Sequence, residues 1–133
     1  LLGGCIDVFV ELLGTPLWPS LEEWKGKLLL IETSEVDMPE MVLEWFLRNF
    51  HAQGMLHVLK GIVVGKPATE DKMEKYKEIF KQVIGFEAGL PDLPILYNVN
   101  VGHSYPIGLF PLGLSYEIDC DKKTFTLLEK ATE

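Results

Sequence analysis

The sequence predicts an α/β domain with a largely parallel strand core and an antiparallel hairpin at its C-terminal end, and three observations carry that prediction. Leu28 to Ile31, Lys60 to Gly65 and Ile95 to Val99 are short aliphatic or β-branched runs of the kind that form strands covered on both faces. Two segments between them space their apolar residues at helical intervals, which is the strand–helix–strand order of a parallel core. After Gly108 the pattern changes to alternation, as an added hairpin requires. The chain has 133 residues, 47% hydrophobic and 24% charged, which suits one compact domain spanning residues 1–133.

In chain order, Cys5 to Leu13 carries Ile6, Phe9, Val10 and Leu13 at steps of three and four, with Gly14 as a stop, and predicts a short helix. Thr15 to Trp24 holds two prolines and Glu22-Glu23 and reads as a surface connection ending at Lys25-Gly26-Lys27. Leu28 to Ile31 is the first strand, followed directly by Glu32. Asp37-Met38-Pro39-Glu40 matches a capping box, with an N-cap oxygen, proline in the first turn and an acidic residue three positions on. The helix it opens has a stripe of Met41, Val42, Trp45, Phe46 and Phe50, expected in the core, and Gly54 as its stop.

Lys60 to Gly65 is the second strand, ended by Lys66-Pro67. Glu70 to Ile84 repeats the helical pattern through Met73, Tyr76, Phe80 and Val83, and Gly85 to Leu93 is a Gly/Pro loop. Ile95 to Val99 is the third strand. Leu112 to Ile118 alternates, Asp119 to Lys123 supplies turn residues and Phe125 to Leu128 returns.

Twelve basic against twenty acidic residues give a formal charge of −8 with no Lys/Arg cluster, which argues against nucleic acid or an anionic membrane surface as a partner. No apolar run approaches the roughly 18 residues of a membrane span. The start, Leu1-Leu2-Gly3-Gly4-Cys5, has no basic region and no initiator methionine, so it reads as the middle of a longer protein and not as a signal peptide. Cys5 and Cys120 have no metal or redox spacing and read as two buried or free thiols in a reducing cytoplasm.

The candidate chemistry sits at strand ends. Glu32 closes the first strand, and His103 lies in the Gly- and Pro-flanked loop after the third, so a parallel core brings both to one sheet edge. A carboxylate that accepts from one ring nitrogen fixes the tautomer and stabilises the imidazolium, and the other nitrogen then takes a proton from a nucleophile. An incidental loop pair is the alternative reading. No nucleophile is evident: Ser104 adjoins His103 and points away from it in an extended loop, Ser34 reads as a turn cap, and there is no Gly-x-Ser-x-Gly elbow. His51 and His57 are six residues apart and share no helical face, which disfavours a zinc site, so neither metal nor cofactor is expected.

Five blocks in order resemble the C-terminal domain of the LD-carboxypeptidases and their microcin C immunity (MccF-like) relatives. They are Gly3-Gly4-Cys5 with Leu13-Gly14-Thr15; Gly26 to Glu35; Gly61 to Gly65; Pro94 to Tyr97 with Gly102-His103; and Pro111-Leu112-Gly113. The resemblance implies a swivelling β/β/α domain of a cytoplasmic serine peptidase whose Ser-Glu-His triad is split between two domains. Glu32 and His103 take the family's glutamate and histidine positions. The serine and its oxyanion hole then belong to an N-terminal nucleophile domain, which the chain would have as its partner, in a full-length homodimer.

The implied substrates are a murein L,D-tetrapeptide, from which terminal D-alanine is removed in cell-wall recycling, or a microcin C-like aminoacyl nucleotide. Glu32-Thr33-Ser34-Glu35 is closer to the immunity-like branch, while Ser104-Tyr105-Pro106 departs from the small or acidic residues often found after the histidine. Two other classes compete with this reading: a non-catalytic binding or regulatory domain of the same fold, and a different α/β enzyme using Glu32 and Glu35.

Overall fold

A computed structural model describes residues 1–34 and 38–132. Four parallel strands, β1 (Leu2–Cys5), β2 (Leu28–Glu32), β3 (Gly61–Gly65) and β4 (Ile95–Val99), form one sheet in the order β1-β2-β3-β4. A separate antiparallel hairpin pairs β5 (Tyr116–Asp119) with β6 (Thr124–Leu127). The helices are α1 (Ile6–Phe9), α2 (Leu21–Trp24), α3 (Glu40–Ala52) and α4 (Glu70–Phe80). None of the described helices is long and apolar enough to cross a membrane.

Strand alternation explains the layering. Successive side chains of a strand point to opposite faces. Leu29, Ile31, Ile62 and Val64 join one core with the buried residues of α1 to α4, whereas Leu28, Leu30 and Val63 join a second core with Val101, Phe110, Tyr116, Ile118 and Phe125. Helices therefore cover one face of the parallel sheet and the hairpin covers the other, giving β/β/α layers. Tyr116 and Phe125 stack at 4.9 Å and Phe110 and Phe125 at 5.6 Å, which supplies the hairpin's half of the smaller core.

Four sequence expectations need correction. The core has four parallel strands, not three, because Leu2 to Cys5 pairs with Leu29 to Glu32 as an edge strand. Its glycines hid it from any strand signal, yet they permit the pairing: a Cβ on Gly3 would stand 1.9 Å from the Leu30 carbonyl oxygen. The connection at 15–24 ends in α2, where Ser20 and Glu23 form a capping box and Trp24 is fully buried.

On α3 the buried stripe is Leu43, Phe46, Leu47 and Phe50, while Met41 and Trp45 are about half exposed, at 49% and 59%. A stripe through positions 43, 46, 47 and 50 follows i, i+3, i+4, i+7, which turns Met41 and Trp45 onto the opposite face. Finally, the segment after α4 continues as a π-helix over Lys81–Glu87 instead of opening into a loop at Gly85. The capping residue expected at Asp37 lies outside the described residues, and α3 starts at Glu40 after Pro39.

Candidate active site

Three chain segments end at one edge of the sheet. Cys5 and Glu32 are register partners at the ends of β1 and β2, and His103 follows β4 by four residues. Glu32 is buried although it is a carboxylate, with its side chain 9% exposed, and buried charges persist only with partners. Its partner is His103: Nδ1 lies 2.9 Å from Oε2, so the ring donates Nδ1–H to the carboxylate.

Two glycines make that approach possible. A Cβ on Gly102, at φ +97°, would stand 2.4 Å from Glu32 Oε2, and one on Gly65 would stand 2.7 Å from Glu32 Cβ. Only residues without a side chain leave the carboxylate this room, and the left-handed backbone at 102 independently favours glycine. The His103 loop is further pinned by Ser104, whose hydroxyl donates to the Pro67 carbonyl at 2.9 Å, and by the Lys66 backbone N–H, which donates to Val99 at 2.9 Å. Ser104 is thus engaged with the β3–α4 connection. His103 itself is 43% exposed and lines an open cleft of about 620 Å³ with Pro67, Thr69, Met73, Asn98 and Tyr105.

Glu32 and His103, singled out from the sequence, are brought together; Ser34 and Ser104 are not joined to them as nucleophiles by any described contact. The Ser34 backbone N–H donates to Asp7 at 2.9 Å. Glu35 lies outside the described residues. His51 and His57, six apart in sequence, approach to 5.5 Å between ring centroids across the turn after α3.

Cys5 is the residue that sequence reasoning missed. Its thiol, with Glu32 and His103, forms the one group of three potential metal ligands among the described residues, their ligand atoms all within 4.8 Å of one another. The signal was unreadable without β1, because a cysteine in a Gly-Gly-Cys segment gives no register. Burial first, and then the nearby Glu32 and Asp7 carboxylates, push the Cys5 thiol up to about 12, so it is a protonated thiol and not an activated nucleophile. Cys120 is exposed and unbridged.

Comparison with known proteins places the chain in a family. Residues 1–118 match the family model described as LD-carboxypeptidase C-terminal domain. The chain is 30% identical over 122 residues to the putative carboxypeptidase YocD of Bacillus subtilis, covering 90% of this chain and 35% of that protein. It is 27% identical over 129 residues to a putative carboxypeptidase of Treponema pallidum, covering 95% of this chain and 36% of that one. The crystal structure of an MccF-like protein from Streptococcus pneumoniae in complex with AMP superposes with a TM-score of 0.80 at 29% identity, covering 95% of this chain and 39% of that one. The chain therefore spans about a third of the length of the curated relatives it matches. With the matched region running from β1 into β5, the chain belongs to the carboxypeptidase family defined by the LD-carboxypeptidase C-terminal domain.

Proposed function

We propose that this chain supplies the acid–base half of a serine carboxypeptidase-type amide hydrolase, with His103 as general base and acid and Glu32 as its orienting carboxylate. The observation that carries the reading is the 2.9 Å contact between His103 Nδ1 and the buried Glu32 carboxylate at the mouth of an open cleft. Holding the proton on Nδ1 presents Nε2 as the basic nitrogen. It takes the proton of an incoming serine hydroxyl as the acyl carbon is attacked, then returns it to the leaving amine. Water repeats the cycle in deacylation. The carboxylate stabilises the imidazolium formed in both halves.

The nucleophilic serine and the oxyanion donors come from an N-terminal nucleophile domain that docks on the His103 side of the cleft. Tyr105, which lines the cleft beside His103 and is 85% exposed, is an aromatic group such a domain would cover. The substrate is a small amide, a murein L,D-tetrapeptide or a microcin C-like aminoacyl nucleotide. The AMP bound by the MccF-like protein from Streptococcus pneumoniae favours the nucleotide-bearing class.

Turnover of both substrate types by the complete protein, wild type and His103→Ala, tests the reading. Loss of the base should lower turnover by on the order of 10⁴ to 10⁶, since triad members act as a unit. Wild-type turnover in His103→Ala would remove the assignment.

A further inference from the structure

Glu32 and His103 serve the proposed hydrolysis, but Cys5 has no part in it, and its position is chemically specific. It ends β1 directly beside Glu32 in the sheet register, so the backbone ladder fixes its distance from the carboxylate. The thiol's described contact is with the Asp7 carboxylate at 3.4 Å, a long sulfur hydrogen bond that a stronger ligand displaces easily. A thiol, a carboxylate and an imidazole from three different segments, with ligand atoms all within 4.8 Å, are the donor types that zinc-like ions take.

We infer that Cys5, Glu32 and His103 form a binding site for a soft divalent cation of the zinc or cadmium type, which locks the His103 imidazole in the wrong tautomer. Such ions bond sulfur, nitrogen and carboxylate oxygen at about 2.0–2.3 Å in tetrahedral geometry, which places ligand atoms about 3.5 Å apart. The three ligand atoms lie within 4.8 Å of one another, so reaching that spacing takes a rotamer adjustment that brings the half-buried Cys5 Sγ inward and a slight opening of the Nδ1–Oε2 pair from 2.9 Å. Sulfur selects zinc or cadmium over magnesium or calcium, which prefer all-oxygen sites. Three protein ligands leave the fourth position to water or to a substrate atom from the cleft.

The proton balance determines the consequence. The thiol proton leaves to solvent as Cys5 binds as thiolate, Glu32 binds as its carboxylate, and the imidazole proton moves from Nδ1 to Nε2 as Nδ1 takes the metal. With Nε2 protonated the ring no longer accepts a proton from a nucleophile, so the bound ion is an inhibitor. This consequence rests on the peptidase reading, whereas the site itself does not.

Cadmium titration of the 133-residue chain, followed by the thiolate-to-cadmium charge-transfer absorption in the ultraviolet, tests the site without substrate or nucleophile. One equivalent should develop the band in the Cys120→Ser chain, zinc should suppress it competitively, and Cys5→Ser should abolish it. His103→Ala and Glu32→Gln should each weaken binding by at least about tenfold. Circular dichroism before metal addition confirms that each variant is folded, and the Cys5→Ala variant serves should Cys5→Ser fail that check. A band that survives Cys5→Ser, or none in Cys120→Ser, overturns the site, and either result leaves the hydrolase reading to its own assay. In the complete protein, cadmium should lower wild-type turnover at least tenfold; cadmium binding with unchanged turnover overturns the tautomer lock.

Discussion

At the scale of single residues the site depends on what is absent as much as on what is present. Glu32 is tolerated in a buried position because Gly65 and Gly102 leave it space and His103 hydrogen-bonds it, so the glycines belong to the site although they do no chemistry. Gly102→Ala tests this. The added Cβ meets the carboxylate and must adopt a left-handed conformation, so stability should fall by about 1–3 kcal/mol in urea unfolding. Unchanged stability would mean that the loop accommodates a side chain and that the Glu32–His103 geometry is less constrained than described. Glu32 and His103 were legible in the sequence because both follow aliphatic runs that could only be buried strands. Cys5 was not, since its significance arises from a strand pairing that a Leu-Leu-Gly-Gly-Cys sequence does not announce. The exposed Trp45 is the converse case: an aromatic at helical spacing suggests core, but Leu43 and Leu47 set the true direction of the buried face.

At the scale of elements, β1 is the piece on which the site's third member hangs. An edge strand built on Gly3 and Gly4 has little side-chain packing of its own and holds through its ladder to β2. Gly3→Ala should therefore cost about 2 kcal/mol or more, because the new methyl group would overlap the Leu30 carbonyl. Hydrogen exchange should show that loss first at the β1–β2 amides; full protection there would contradict the register described. The three long aliphatic strands, α3, α4 and the C-terminal hairpin could be read from periodicity, since each buries enough apolar surface for pattern to decide. The short helix α2 could not, because a single turn is too short for periodicity to show and is held by the burial of Trp24, although Ser20 and Glu23 carry the spacing of a capping box.

At the scale of the whole molecule, a net charge of −8 makes the ionisation of the carboxylates a stability question. Glu40 is held down to about 2 by its own backbone N–H and by Lys75 and Lys72, and Glu87 is held to about 2 by the Arg48 guanidinium. Both are depressed on folding, so their contribution is present above the unfolded carboxyl value of 4.5 and disappears as pH falls toward 2. The Tm should drop across that window, and a Glu40→Gln, Glu87→Gln double variant should drop less steeply. An identical slope in the double variant would remove these two ion pairs from the account; exposed pairs contribute modestly, so the change is one of slope and not of folding.

The fold delivers the Glu32–His103 couple to an open cleft, and the relative weight of the two residues measures whether that couple works as the proposed acid–base relay. Steady-state turnover of the complete protein with His103→Ala and Glu32→Ala, folding confirmed by circular dichroism, is the direct measurement. In the proposed mechanism histidine carries the proton in acylation and deacylation whereas the carboxylate only orients and stabilises it, so Glu32→Ala should be impaired but retain about tenfold to a hundredfold more turnover than His103→Ala. Wild-type turnover in Glu32→Ala would contradict the account, because it would leave the buried carboxylate 2.9 Å from His103 without a role in the reaction.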